Sequence, residues 1–414
     1  MLQMDNWEHA LTVLIVVIAG GLVVGKLTEK PRIPDVAAYL VYGIVIGPAV
    51  FHLVQEPSQS QVNQLLLNMG ATLILFDGGR SVRFSVLRRV WVSIVMLATI
   101  GVLVTAFVMC IAAHYILGTS WILSLLLGSV SASTDPATLI PVFKRVSIVP
   151  RLQQTVESES AFNDATGAVL VFTVLGLAAA GGHVRWYEPI WTFAESAVIG
   201  LVIGAALGLL SLWLVSNRAW GIFHEYGSIV MLAIALSSYQ IASGLGASGF
   251  MAAFTAGVVS GNGKAVGWSF AAHTEENIHH FGNSITLIMR MLIFVLLGTQ
   301  VDFGLVSKYL WVGLTLVLIF IVIARPLAVV SSVWADPRAK WRRNHITFMC
   351  WVRETGVIPA ALSGMLVAKG IPGAHVISAI TFLAILLTIV IQASTTGFVA
   401  KQLGVLDGTE QEDY

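Results

Sequence analysis

Apolar stretches, each long enough to cross a bilayer as a helix of about 20 residues, alternate with short polar connections from one end of this chain to the other. The pattern predicts thirteen spans, at residues 10–27, 36–54, 62–79, 90–116, 121–143, 152–180, 191–215, 223–244, 249–263, 276–300, 307–333, 345–368 and 374–402. Two of them are interrupted. The fifth carries Ser133, Thr134, Asp135 and Pro136 at mid-span, and Asp followed by Pro is the signature of a new helix start. The twelfth carries Arg353, Glu354, Thr355 and Gly356, with Pro359 beyond them. One span runs inward and the other outward. Interrupted helices at matching places in oppositely oriented halves predict two inverted-topology repeats with a site near the midplane. The expected architecture is an all-α polytopic membrane protein with 13 transmembrane helices in one unit. Repeat one covers about 10–180, a connector helix 191–215, repeat two about 223–402, and a short acidic tail 403–414.

Composition narrows the class. Of 414 residues 57% are hydrophobic and 11% charged, against about 25% charged in soluble domains. A soluble enzyme or a nucleic-acid binder is excluded. The net charge of +1 says little, but its distribution is informative. Of 23 Lys and Arg, 17 fall on one side of the predicted spans, 3 on the other (Arg185, Lys308, Lys369), and 3 inside spans (Arg290, Arg325, Arg353). The positive-inside rule then puts the N-terminus outside and the C-terminus in the cytoplasm. Met1–His9 contains no Lys or Arg, so no signal peptide is expected. Cys110 and Cys350 lie in apolar segments and suggest neither a disulfide nor a metal site.

The sixth span opens on Glu157, Ser158, Glu159, Ser160, Ala161, Phe162, Asn163 and Asp164. Carboxylates inside a membrane helix are costly and usually mark ion or proton pathways. By helix rise Asp164 lies about 18 Å from the cytoplasmic end of its span, close to the bilayer centre. Ser160 and Asp164 share one helix face, and Glu159 and Asn163 the adjacent one. Oxygen ligands of this kind suit a hard alkali cation, and unwound backbone at Ser133–Thr134 can add carbonyls. Burial disfavours the charged carboxyl, so Asp164 can hold a proton when no cation is present. Simple interhelical hydrogen bonding by Asp164 and Ser160, and plain N-capping by Asp135, are the alternatives. Glu159 and Arg325 match in depth at roughly 11–12 Å from the cytoplasmic side, which predicts a structural ion pair and leaves Asp164 as the exchangeable carboxylate. Arg353 and Glu354 are placed to offset the dipole ends of two half-helices, or to pair with each other or with Asp135. Asp77, near the cytoplasmic end of span three, lines an inward vestibule or sits at the interface. No pattern assigns a partner to Arg290.

These residues carry a resemblance. Thr134-Asp135-Pro136 in a broken fifth helix, Glu159 through Asn163-Asp164 in the sixth and an Arg in the eleventh resemble the sodium/proton antiporters of the cation:proton antiporter superfamily. The Asn-Asp pair is similar to its first, electroneutral branch. The likeness extends to Pro34–Gly43 and Gly47-Pro48 in span two and Gly249–Gly257 in span nine, and so covers essentially the whole chain. It implies crossed discontinuous helices and a homodimer in which a core domain moves against a dimerisation domain. It also implies Na+ held by Asp164, Ser160 and Thr134, with Asn163 organising the site and Glu159 paired to Arg325. Ala161 and Asp77 depart from the usual pattern, and the shorter Asp77 weakens its case as a water-mediated ligand.

Other motifs carry less. Gly244-Leu-Gly246-Ala-Ser-Gly249 matches a dinucleotide fingerprint without the preceding strand and reads as a turn. His224-Glu225 lacks the second His of a zinc protease motif. His273, His279 and His280 with Glu275 and Glu276 read as a solvated linker, with pH sensing as the sharper alternative. Gly200-xxx-Gly204-xxx-Gly208 and Gly21-xxx-Gly25 allow close helix packing, within the protomer or in a dimer. The expected function is exchange of Na+ or Li+ for H+, electroneutral, across a prokaryotic cytoplasmic (inner) membrane. No enzyme activity and no cofactor beyond the transported ions are expected. A K+/H+ antiporter, or a K+ efflux system or channel, is the alternative, although no TVGYG filter is present.

Overall fold

The computed structural model describes residues 6–28, 34–54, 58–134, 143, 147–179, 187–216 and 221–406, with 6–10 and 85–89 as backbone alone. Helices account for the regular structure among these residues, and a single bridge between Ile148 and Leu406 is the one β pairing. Eight helices in the described residues are long and apolar enough to cross a membrane.

In chain order the helices are α1 (Asn6–Thr28), α2 (Asp35–Ile46), α3 (Gln61–Ser81) and α4, which runs Phe84–Met96, through a π-turn at Leu97–Gly101, into Val102–Leu117. Then come α5 (Trp121–Ser131), α6 (Pro150–Ala179), α7 (Glu188–Val215), α8 (Gly227–Gly244), α9 (Gly249–Gly261) and α10 (Ala272–Thr299). A short turn of helix at Phe303–Lys308 leads to α11, made of Leu310–Ile319, a π-turn at Phe320–Ala324 and Arg325–Trp334. The chain ends with α12 (Arg343–Trp351), α13 (Val357–Ala368) and α14, made of Ala374–Leu387, a π-turn at Thr388–Ala393 and Ser394–Leu403.

Local chemistry sets several boundaries. Ser60, Ser120 and Ser248 accept hydrogen bonds from the backbone N–H groups of Asn63, Leu123 and Met251, so each caps the helix that follows it. α2 stops at Ile46, eight residues short of the predicted end at 54. Pro48 disfavours helical geometry at Gly47, and the chain folds back so that Leu53 and Val54 donate to the Ile46 carbonyl. In α11 the missing N–H of Pro326 falls next to the π-turn, which absorbs the lost hydrogen bond without breaking the helix.

α6 is the central strut, packed against α3, α4, α5, α7, α9 and α13. The Gly200, Gly204 and Gly208 stripe of α7 faces α9 of the same protomer. A Cβ at Gly204 would stand 2.3 Å from the Ala252 carbonyl oxygen, so only glycine allows this approach. Exposed Trp311 and Trp334 flank α11; 23 residues apart, they are separated by about 35 Å of helix rise, the spacing of the two interfacial belts of a bilayer. A second apolar cluster gathers Phe143, Ile148, Leu152, Val156, Phe348, Val352 and Val405. Val405 is fully buried and donates to the Ala400 carbonyl, so the chain just past Leu403 is part of the packed body.

Candidate ion-binding site

Both interruptions expected from the sequence leave backbone groups that must be met by other protein groups, because hydrocarbon offers none. α5 ends at Ser131; Ala132 still donates to the Ser129 carbonyl, and Ser133 and Thr134 continue outside the helix. The Arg353 guanidinium crosses to this end. Its Nη2 donates to the carbonyls of Ala132 at 2.6 Å and Ser131 at 3.3 Å, and its Nη1 to the Thr105 hydroxyl at 3.0 Å. The same guanidinium lies 4.7 Å from the centre of the Phe320 ring. A cation at a helix C-terminus is where the helix dipole favours one.

The second interruption, Val352–Gly356, separates α12 from α13 and is buried throughout. Thr388 and Gln392, from the π-turn of α14, bond the Thr355 N–H at 3.2 Å and the Trp351 carbonyl at 2.6 Å. Arg325 donates through Nε to the Met349 carbonyl at 2.9 Å and through Nη2 to Val352 at 3.4 Å. With its other edge it grips both carboxylate oxygens of Glu159, Nη2 to Oε2 at 3.0 Å and Nη1 to Oε1 in a shorter contact. Both side chains are buried, and the fork-to-fork geometry is that of strong charge-assisted pairs. Glu354 is fully buried at the N-terminal approach to α13.

Between these two anchored ends, one turn of α6 meets the unwound end of α5. The Thr134 N–H donates to Asn163 Oδ1 at 3.1 Å, Asn163 Nδ2 donates to the Thr134 hydroxyl at 2.7 Å, and the Ser160 hydroxyl donates to the Thr134 carbonyl at 2.7 Å. Asn163 thus reads both the backbone and the side chain of Thr134, and needs its amide to do so. Asp164, 7% exposed, accepts a short hydrogen bond from the Ser133 hydroxyl. The structure therefore brings Asp164, Asn163, Ser160 and Thr134 together and adds Ser133, whose side chain the sequence reading did not single out. Asp135 lies outside the described residues. The assembly is a buried carboxylate beside hydroxyl, amide and carbonyl groups, a donor set suited to a weakly acidic hard cation or a proton.

A sequence profile of transmembrane sodium/hydrogen exchangers matches residues 11–402. The chain belongs to this family. Among its relatives are a probable Na(+)/H(+) antiporter 2 and the Na(+)/H(+) antiporter 1 of Methanocaldococcus jannaschii, 28% and 29% identical. Each alignment covers 92% of this chain and 94% and 93% of the relative. The K(+)/H(+) antiporter NhaP of Alkalimonas amylolytica is 27% identical over 95% of this chain and 67% of its own, longer length. The solved sodium proton antiporter MjNhaP1 of M. jannaschii at pH 8 superposes with a TM-score of 0.85 at 29% identity, over 96% of this chain and 99% of that one. The fold of this exchanger is therefore that of MjNhaP1.

Asp77 and Arg290 are engaged elsewhere. Asp77 is held by Arg80 at 3.3 Å and by the Thr286 hydroxyl at 3.1 Å, at the α3–α10 contact. Arg290 reaches Asp35 at 3.5 Å, joining α10 to the first turn of α2. An acidic residue opening a helix was the one available signal for that pair. His279 and His280 are exposed on α10, and His280 lies 3.6 Å from Glu276.

Proposed function

We propose that this exchanger moves Na+, or Li+, against H+ by alternating access, with Asp164 holding the cation and the proton in turn. The observation that carries the reading is the convergence of Ser133, Thr134, Ser160 and Asn163 on one turn of α6 beside Asp164. Glu159, the neighbouring carboxylate, is taken up by its ion pair with Arg325, which leaves the exchange to Asp164. Ser160, Thr134 and Asp164 supply the cation's oxygens, and Asn163 holds Thr134 in place. With one exchangeable carboxylate and a neutral Asn163 beside it, one cation replaces one proton and transport is electroneutral.

The reading extends to the whole assembly. Thirteen spans in two inverted repeats, about 10–180 and 223–402 about the connector 191–215, fit the helix order, with α12 and α13 as one interrupted span. The N-terminus faces outward, the C-terminus faces the cytoplasm, and the membrane is the prokaryotic inner membrane. Two protomers pair through exposed apolar faces and the core of each moves against the paired domain. K+/H+ exchange is the second reading, favoured by the K(+)/H(+) antiporter relative.

Transport in everted vesicles loaded with a pH-sensitive dye tests the proposal. Na+ should dequench the dye, K+ should not, and Asp164→Asn should abolish the response. Transport that survives Asp164→Asn overturns the exchange site, and a response to K+ alone moves the substrate to the second reading. Rates that change when the membrane potential is clamped rule out one-for-one exchange.

A further inference from the structure

Glycines and polar contacts divide the helices into two bodies. In the first, α2 meets α10 at Gly43 and Gly298, and α3 meets α9 at Gly79 and Gly257. A Cβ on any of these four would collide with a backbone carbonyl of the facing helix. The Arg290–Asp35 pair joins α10 to α2 again, and the Tyr239 hydroxyl ties α8 to Asn68 of α3 at 3.0 Å. In the second body, Gly128 of α5 lies as closely on the Ala106 carbonyl of α4. There the Ser332 hydroxyl of α11 donates to the Met96 carbonyl at 3.1 Å, and the Trp351 indole of α12 to the Thr395 hydroxyl of α14 at 3.1 Å. The Glu159–Arg325 pair fastens α6 to this body. The seam between the two is built differently. Where α6 faces α3 and α9 the contacts are apolar, with Ala161 under Gly78 and the Phe162 and Phe254 ring centres 4.8 Å apart. Away from the chain junction at Arg83 and Phe84, the hydrogen bond that crosses the seam between described residues runs from Gln64 Nε2 of α3 to the Ala368 carbonyl of α13, at 3.2 Å.

Both ends of that bond are prepared by their own helices. α13 closes on Gly370, at φ +66°, with Gly370 donating to the Val367 carbonyl, Ile371 to that of Leu366 and Lys369 to that of Met365. The Ala368 carbonyl, in the last turn, is left for a partner outside the helix. On α3, Ser60 caps the first turn and Asn63 is held by Gln300 of α10 at 3.1 Å, so the residue beside Gln64 is fixed to the first body. Gln64 Nε2 also donates to the Gln59 carbonyl at 3.2 Å, which places both amide hydrogens. One turn deeper, Leu67 lies on Gly364, where a Cβ would stand 3.0 Å from Leu67 Cδ1. Gln64 and Leu67 share one face of α3, and Gly364 and Ala368 one face of α13. The helices run in opposite directions, so the two contacts form layers, polar at the helix ends and apolar beneath.

Resting on alternating access and on the proposed orientation, which puts the start of α3 and the end of α13 at the outer face, we propose that Gln64 is a positioning residue of the exchange cycle. With Leu67 beneath it, Gln64 latches α13 to α3 and keeps the outer entrance closed. Apolar side chains along the rest of the seam can change neighbours without leaving a polar group unpaired, as packed helices do when they shear. The Gln64–Ala368 bond has to break before the outer ends separate. Its groups then meet water at the outer face and not hydrocarbon, so the break is reversible. One neutral hydrogen bond of this kind shifts an equilibrium between closed and open seams about fivefold. A plain cap on α13 would lower stability and leave the opening untouched.

Thiol labelling of the full chain reads the opening without regard to which ion is carried. Leu67 is 3% exposed, so Leu67→Cys should react with a membrane-impermeant maleimide from the outside only when the seam opens. Adding Gln64→Leu should speed that labelling about fivefold, the shift expected from one hydrogen bond. Gln64→Glu keeps the shape, loses the N–H, should act the same way, and carries this arm if Gln64→Leu fails to fold. In the absence of Leu67→Cys, either Gln64 variant should leave Cys110 and Cys350 as slow to react as in the parent. In a second arm, Gln64→Cys and Ala368→Cys are joined by a short bismaleimide, and exchange should stop on cross-linking and persist in the unlinked protein. Unchanged labelling in the Gln64 variants, with or without a fall in melting temperature, overturns the latch. So does faster labelling at Cys110, which reports a loosened fold, or exchange that continues at the unlinked rate after cross-linking. Faster labelling at Leu67→Cys alone, in a protein whose Asp164→Asn form still transports, overturns the exchange site and leaves the latch standing.

Discussion

Glu159→Ala removes one half of a fully buried ion pair and strands the other half. Arg325 keeps its hydrogen bonds to Met349 and Val352 but loses both contacts to the carboxylate, so a guanidinium is left uncompensated in the interior. Removing one partner of such a pair costs about 3–5 kcal/mol, and Arg325→Ala should cost a similar amount. Replacing both partners with apolar residues of similar volume is often neutral elsewhere, because two desolvated charges disappear together. Here it should not be. In Glu159→Leu with Arg325→Met, the carbonyls of Met349 and Val352 lose their donor, and a buried unsatisfied carbonyl costs about 1–3 kcal/mol. The double variant should therefore sit between the single variants and the parent. Thermal unfolding of the purified protein in detergent, read by tryptophan fluorescence, gives the order of stabilities, and vesicle transport shows whether ion selectivity is kept. A Glu159→Ala protein that melts and transports like the parent refutes the pairing argument. A double variant at least as stable as the parent refutes the part assigned to the backbone carbonyls.

Further outcomes follow from the same contacts. Arg353→Met should destabilise the protein by about 1–3 kcal/mol for the Ala132 carbonyl it leaves unpaired, with slowed transport in vesicles because the Thr134 end of α5 is no longer held; unaltered melting and rates count against the capping role. Arg353→Lys should rescue little, since a point charge cannot span Thr105 and Ala132 as the fork does. Gly204→Val drives a side chain into the Ala252 carbonyl and should cost at least about 1–3 kcal/mol from overpacking, visible as lower yield of folded protein; normal yield and melting would place this stripe away from α9. If proton and cation exclude each other on Asp164, the apparent KM for Na+ should rise about tenfold for each pH unit below the site's own titration. A maximal rate that falls with acidity at constant KM argues against competition.

Much of the helical layout was legible because the membrane imposes it. A backbone in hydrocarbon must satisfy itself, so apolar runs of fixed length become helices, and the edges read at 62–79 and 191–215 lie within three residues of Gln61–Ser81 and Glu188–Val215. Hydropathy reports solvent preference and not backbone geometry, which is why it carried span two past Gly47-Pro48 although the helix ends at Ile46. The meeting of Glu159 with Arg325 was readable from depth alone, since both lie on regular helices with a fixed rise. Arg290 defeated that approach. Its partner Asp35 opens α2, and α10 begins at Ala272, four residues before the predicted span, so a depth counted from residue 276 is displaced by more than a turn. Ser133 escaped for another reason: it lies on unwound chain, where neither helical nor strand periodicity says which way a side chain points.

On the proposed exchange, Arg325 and Arg353 together account for Asp164 being the carboxylate left to change its charge. Each interrupted helix ends with unpaired carbonyls and the negative end of a dipole. Arg353, from the break between α12 and α13, covers the end of α5, and Arg325, from α11, covers the end of α12. Each guanidinium is therefore committed to backbone carbonyls. Arg325 also holds Glu159 in a buried ion pair. Asp164 has a different setting, among hydroxyls and an amide that rearrange their hydrogen bonds at small cost. On the proposed exchange, a proton or a cation arriving there meets a site whose two neighbouring arginines are already engaged elsewhere. Competition then needs no moving relay of ionisable groups, only one oxygen-rich turn of α6 held against the end of α5.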